Sequence, residues 1–162
     1  MYYRDLGPFK WFNRVPLSDV LTVGWLSLEH QFPTGEPRPD LVLTLEALLS
    51  SHRANLARGY HSCEFCPPRC KMLKAAGREI PVPQPLLFEL SDRTIVLGSA
   101  EIWVPSPDRK TVYAAPDMIF HYVSEHGYMP PQEFVAAALN ANQINDWNAE
   151  EECVRRLATA YQ

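Results

Sequence analysis

The chain has 162 residues, 46% of them hydrophobic and 21% charged, with a formal net charge of −4 at neutral pH. That length suits one domain over 1–162 with a core of its own, and the acidic balance argues against a general polyanion binder, whose phosphate contacts need a basic surface. No apolar run reaches the ~18 residues of a membrane-spanning helix, and the opening MYYRDLGPFKWFNR is broken by Arg4, Asp5, Lys10 and Arg14, so no secretory h-region is read and a cytoplasmic location is expected.

Residues 20–28, VLTVGWLSL, are β-branched and aromatic and predict a strand. HQFPTGEPRP (30–39) follows as a turn-rich loop. Pro39-Asp40 then opens a helix with Asp40 as N-cap; Leu41, Val42, Leu45, Leu48 and Leu49 give it one apolar face, and it ends near Ser51 or His52. After the cysteine-rich loop GYHSCEFCPPRC (59–70) comes the basic RCKMLKAAGR (69–78), read as a solvated helix face, then IPVPQPLL (80–87), whose prolines allow only an extended connector or an edge.

RTIVL (93–97) and AEIWV (100–104) flank Gly98-Ser99, which predicts a two-residue hairpin turn, and KTVYA (110–114) pairs back across the Pro-Ser-Pro-Asp turn. Pro116 opens a helix through His126, with Gly127 as its C′ residue. A shorter helix covers 130–140. The last, 149–161, is capped by Asn148 with Glu151 three residues on, and Val154, Leu157, Ala158 and Tyr161 form its apolar stripe. Strands in a meander among helices predict an α+β fold, a small antiparallel sheet with three to four helices.

Chemistry concentrates at Cys63-x-x-Cys66, the spacing at which two thiolates chelate one metal ion from a tight turn. In a reducing compartment clustered cysteines read as metal ligands before structural disulfides. A redox pair lacks the βαβ context it needs here, and packed but idle thiols are the bland alternative. Two further ligands are required. His121 and His126 lie on a helix after the strands, an order like that of treble-clef and zinc-knuckle sites. On an ideal helix residues five apart point ~140° away from each other, so both serve one ion only if the helix loosens near Gly127. Two rival sets stay open, one using His61 with a single helix histidine and one using Cys70, though Pro67 and Pro68 restrict the latter. Cys153, His52 and His30 are more remote candidates. Two thiolates mark closed, structural zinc sites more often than catalytic ones.

The segments VGWL, FPTGE, RGYHSCEFC, LGSAEIWV and VYAAPDMIFHYVSEHGYMPPQEFVAA resemble those of an uncharacterised family of small bacterial proteins with no assigned activity. That family carries a Gly-aromatic-His-x-Cys-x-x-Cys segment and a His-Tyr-Val-x-x-His-x-Tyr-x-Pro-Pro segment. The resemblance spans roughly 20–138 and implies that His61, Cys63, Cys66, Glu101, His121, His126 and Tyr128 belong to the family pattern.

HYVSEH is not a zinc-protease helix, because its ligands do not share a face, and HSCEFC lacks the order and the Glu placement of a deaminase. Structural zinc in a small protein-binding, adaptor or immunity-type module is the leading expectation. A zinc-dependent hydrolase with an open coordination site and Glu64 or Glu125 as base is the runner-up. A nucleic-acid module using Arg69, Lys71, Lys74 and Arg78 is the third.

Overall fold

The computed structural model describes residues 2–10, 15–141, 143–144 and 146–159. The chain runs β1 (Pro8–Phe9), β2 (Leu17–Thr22), α1 (Pro39–Ser51), β3 (Arg53–Ala54), β4 (Cys70–Ala75), β5 (Arg78–Pro83), β6 (Leu86–Glu89), β7 (Thr94–Leu97), β8 (Glu101–Pro105), β9 (Val112–Pro116), α2 (Ile119–His126), α3 (Gln132–Ala141) and α4 (Ala149–Thr159). The fold is α+β, as expected. One sheet has the order β1-β2-β9-β8-β3, and β4–β5 and β6–β7 form separate antiparallel hairpins. The larger sheet is antiparallel except where β2 runs parallel to β9.

Successive side chains of a strand point to opposite faces, and β8 buries all five of its residues because both its faces are covered. Ile102 and Val104 pack with Leu45, Leu48, Ile119 and Phe134 from α1, α2 and α3. Trp103 faces the other way, with Phe9, Val20, Val112, Ala149 and Cys153. The sheet therefore separates a larger core under three helices from a smaller one under α4. No described helix is long and apolar enough to cross a membrane.

Several expected elements move. The strand expected over 20–28 lies at 17–22 and stops after Thr22, because Gly24 takes a φ of +73° and gives its N–H to the Asp5 carboxylate at 2.8 Å. At α1, Pro39 occupies the first turn and Arg38 is the N-cap, with no side-chain cap; Asp40 sits inside the helix and pairs with Arg38. The basic stretch 69–78 is not a helix. Ala76 and Gly77 have φ of +51° and +75°, both central residues left-handed as a primed hairpin turn requires, and Ala75 pairs with Arg78 across them.

Gly98-Ser99 is not a hairpin turn either. β7 pairs with β6, and β8 with β9 and β3. At Gly98 (φ +84°) a Cβ would lie 2.1 Å from the His61 carbonyl oxygen, so the glycine is there to admit the cysteine loop. Helix α2 begins at Ile119 because Pro116 ends β9 and the fully buried Asp117 is otherwise engaged: its carboxylate accepts from Gly98 N–H at 2.6 Å and pairs with Arg53 at 3.0 Å.

In α4, Asn148 caps as expected, accepting from the Glu151 N–H at 3.1 Å. The buried face is Ala149, Cys153 and Arg156, while Val154 and Ala158 are exposed and Leu157 is half-buried against the smaller core; Tyr161 lies outside the described residues. The face is set by Arg156, which is 5% exposed and bonds Asp19, Glu152 and the Arg109 and Lys110 carbonyls.

Candidate metal centre

Residues 61–66 carry no regular structure, so tertiary contacts must hold them. His61 N–H donates to the Gly98 carbonyl at 2.9 Å and Ala57 N–H to that of Ser99 at 2.7 Å. The Glu64 carboxylate accepts from Leu28 N–H at 3.1 Å. Phe65, between the two cysteines, inserts among Phe32, Tyr122 and His126 at ring separations of 5.2, 5.8 and 5.4 Å. An aromatic anchor of that kind orients both thiols toward α2 before any ion binds.

Helix α2 supplies the opposite side. It ends at His126, with Gly127 in the left-handed conformation at φ +62°. The backbone N–H groups of Gly127 and Tyr128 both turn back to the Tyr122 carbonyl. Closures five and six residues long widen the last turn beyond the α-helical four. That widening removes the ~140° divergence of an ideal helix and brings His121 and His126 Nε2 to 3.1 Å. The end is fixed by a short pairing: Gly35 N–H donates to the Gly127 carbonyl, Met129 N–H to that of Pro33, and Thr34 bridges Tyr128. Buried Tyr128 gives its hydroxyl hydrogen to Asp5 at 2.7 Å.

Four donor atoms thus meet. Cys63 Sγ lies 3.2 Å from His126 Nε2, and Cys66 Sγ lies 3.3 Å from His121 Nε2 and 3.4 Å from His126 Nε2. All four are within 4.8 Å of one another. A tetrahedral ion with bonds of about 2.3 Å to sulfur and about 2.0 Å to nitrogen spaces sulfur from nitrogen by about 3.5 Å and nitrogen from nitrogen by about 3.3 Å. The donors need open by only a few tenths of an ångström, so Cys63, Cys66, His121 and His126 fit a metal ion. Burial, with the neighbouring His126 adding to it, pushes the His121 imidazole below its usual pKa, and burial raises the Cys63 thiol to about 11.

The alternatives fall outside this cluster. His61 is exposed, with its backbone against Gly98, and Cys70 is exposed on β4. Cys153 is buried on the inner face of α4, and His52 is buried at the end of α1 with Nδ1 against Ser51. His30 stacks on Tyr2 at 3.6 Å. Glu64 is held by Leu28, and Glu125 is exposed on α2. Arg69 precedes the β4–β5 hairpin, which carries Lys71, Lys74 and Arg78, all exposed. The residues that chain-order reading passed over are Asp117, Asn55 and Trp25. Only Asp117 had a visible signal, an acid directly after Pro116 at a helix entrance.

Residues 1–139 match the model of a family described as Domain of unknown function (DUF7919), and the chain belongs to that family. No curated protein and no solved structure matches it.

Proposed function

Taking that membership as the premise, we propose that the protein is a zinc-stapled binding module that recognises another protein through the β4–β5 ribbon. Two thiolates and two imidazoles suit zinc, and four protein ligands close its tetrahedral shell, leaving no position for a reacting water. The ion then fastens the 61–66 segment to α2, and the ribbon leaves that segment four residues after Cys66.

The observation that carries the reading is the ribbon's exposure. Every residue of β4 and all but Val82 of β5 are exposed, including Met72 at 52%, Leu73 at 46% and Ile80 at 46%. Cross-strand pairing sets Leu73 beside Ile80 and Lys71 beside Val82 on one face, with Met72 beside Pro81 on the other. Apolar pairs rimmed by Lys71, Lys74, Arg69 and Arg78 suit a protein surface with acidic residues around an apolar patch. A nucleic-acid reading is weaker, since the ribbon has no aromatic side chain on which a base could stack.

A photo-crosslinking residue placed at Met72 or Ile80, with Glu46 on α1 as the control position, tests this in cells. The expected result is a discrete nuclease-resistant protein adduct from the ribbon positions alone, lost in the Lys71→Glu, Lys74→Glu double variant. Adducts that disappear with nuclease, or equal labelling from Glu46, overturn it.

A further inference from the structure

Between the segment that lies over Gly98-Ser99 and the start of β8 there is a pocket of about 180 Å³. An engineered cavity of roughly 150 Å³ accepts benzene, so this one holds a ring-sized group. Its walls include Trp25, Leu26, Met118 and Tyr122, and its polar lining includes Asn55 and Glu101. Neither the metal cluster nor the ribbon uses it.

Glu101 is 3% exposed. One carboxylate oxygen accepts from Asn55 Nδ2 at 2.9 Å and the other from Trp103 Nε1 at 2.7 Å. A carboxylate has about four acceptor sites, so half its capacity remains. Neither bond neutralises its charge, and no cation pairs with it among the described residues. Arg53, on the strand beside it, is paired with Asp117. Burial, with the negative Asp117 and Glu150 adding to it, holds its carboxyl up at about 7, so above that pH the group is an unpaired anion. Asn55 reaches Glu101 from a left-handed backbone, φ +55°, while its own N–H is taken by Glu150 at 2.8 Å. Trp25 adds an indole N–H that is buried and has no partner among the described residues. An apolar pocket with an unneutralised carboxylate and a spare donor is shaped for a cation that also offers an acceptor.

We propose that this pocket binds a small primary ammonium carried on an apolar skeleton of about ring size, with Glu101 as its counter-ion and the Trp25 N–H meeting an acceptor atom on the ligand. Tyr122 and Trp25 supply aromatic walls, which suit an organic cation better than a metal ion. The same ammonium chemistry reaches the pocket on a free amine or on a lysine side chain of a partner, and the two are separable by size and backbone.

Calorimetric titration of the full-length, metal-loaded protein at pH 8 tests this with 2-methoxybenzylamine, whose ether oxygen supplies the acceptor, its neutral isostere 2-methoxybenzyl alcohol, and Nα-acetyl-lysine methylamide. At least one ammonium probe should bind ten-fold or more tightly than 2-methoxybenzyl alcohol, and the tighter of the two names the source. In Glu101→Gln that preference should fall below about two-fold, with zinc content and far-ultraviolet dichroism unchanged. Should that variant not fold, Ala57→Trp, built from an exposed position on the pocket lining, should abolish ammonium binding instead. Equal binding of amine and alcohol, no ammonium binding, or a preference that survives Glu101→Gln or Ala57→Trp overturns the proposal.

Discussion

Withdrawing the metal should lower stability by an amount set by how nearly the site is built beforehand. Sulfur–nitrogen separations of 3.2 to 3.4 Å and the nitrogen pair at 3.1 Å already approximate a tetrahedral shell. Phe65 and the Gly127 turn hold both halves, so little binding energy goes into rearranging the chain. The ion's affinity then appears almost directly as stability. Free zinc at 1,000 times its dissociation constant adds about 4 kcal/mol. For a chain of this size each kcal/mol is worth about 2–4 °C of melting temperature, so a rise of roughly 8–16 °C is expected. Calorimetry of protein dialysed against a chelator under reducing conditions, with and without restored zinc, reads it. Cys63→Ser and His126→Ala should remove the rise and the stoichiometric zinc, while Cys70→Ser, outside the donor cluster, should keep both. Binding must also strip the proton from a Cys63 thiol held at about 11, so the rise should shrink as pH falls. Melting curves that coincide with and without zinc, or an unchanged rise in Cys63→Ser, would refute the reasoning.

Two further expectations follow from backbone geometry and burial. Gly127→Ala forces a side chain into a left-handed residue and sets a Cβ 2.7 Å from the Gly35 carbonyl oxygen; a loss of about 1–3 kcal/mol in urea unfolding and weaker zinc binding are expected, and wild-type behaviour in both counts against the turn's role. Glu101 is raised to about 7 by burial, so between its unfolded value near 4.5 and about 7 the folded state holds a proton that the unfolded chain has lost. Stability should therefore fall as pH rises through that window and level off above it. Urea midpoints in Glu101→Gln should be flatter across the same window, and an identical slope in both proteins argues against the assignment.

The donor cluster was largely legible because two cysteines three apart and two histidines on one helix are few and chemically distinctive. What stayed open was whether residues five apart could share an ion. That depended on the Gly127 turn, which is fixed by pairing with residues 33–35, far away in sequence. The ribbon was hidden for a local reason. Lys71, Met72, Leu73, Lys74 and Ala75 all favour helices, and the turn is made by Ala76-Gly77 rather than by the usual Asn-Gly. The neighbour of β7 was misjudged because adjacency along the chain favours a β7–β8 hairpin. The Asp117 side chain and the His61 backbone occupy the Gly98 region and prevent that hairpin, and neither is close in sequence. The stripe on α4 was misassigned because an arginine, Arg156, takes a buried position that apolar patterning gives to aliphatic residues.

The segment from Ala57 to Cys66 joins all three features. Ala57, His61, Ser62 and Glu64 line the pocket, Cys63 and Cys66 face α2, and the ribbon begins at Cys70. The segment has no helix or strand to stabilise it from within, and irregular chain with few backbone hydrogen bonds opens at low free energy. Its attachments include the two bonds to Gly98 and Ser99, the Tyr60 hydroxyl bond to the Pro83 carbonyl, the Glu64 bond to Leu28, the Phe65 contacts and the metal donors. Of these, the metal offers the most free energy, on the order of 10 kcal/mol for structural zinc. Loss of the ion should thus loosen the pocket wall and the ribbon base together, while the sheet beneath, with its own buried strands β8 and β9, stays folded. On the proposed reading, a metal in that position would act on binding through the order of one short segment.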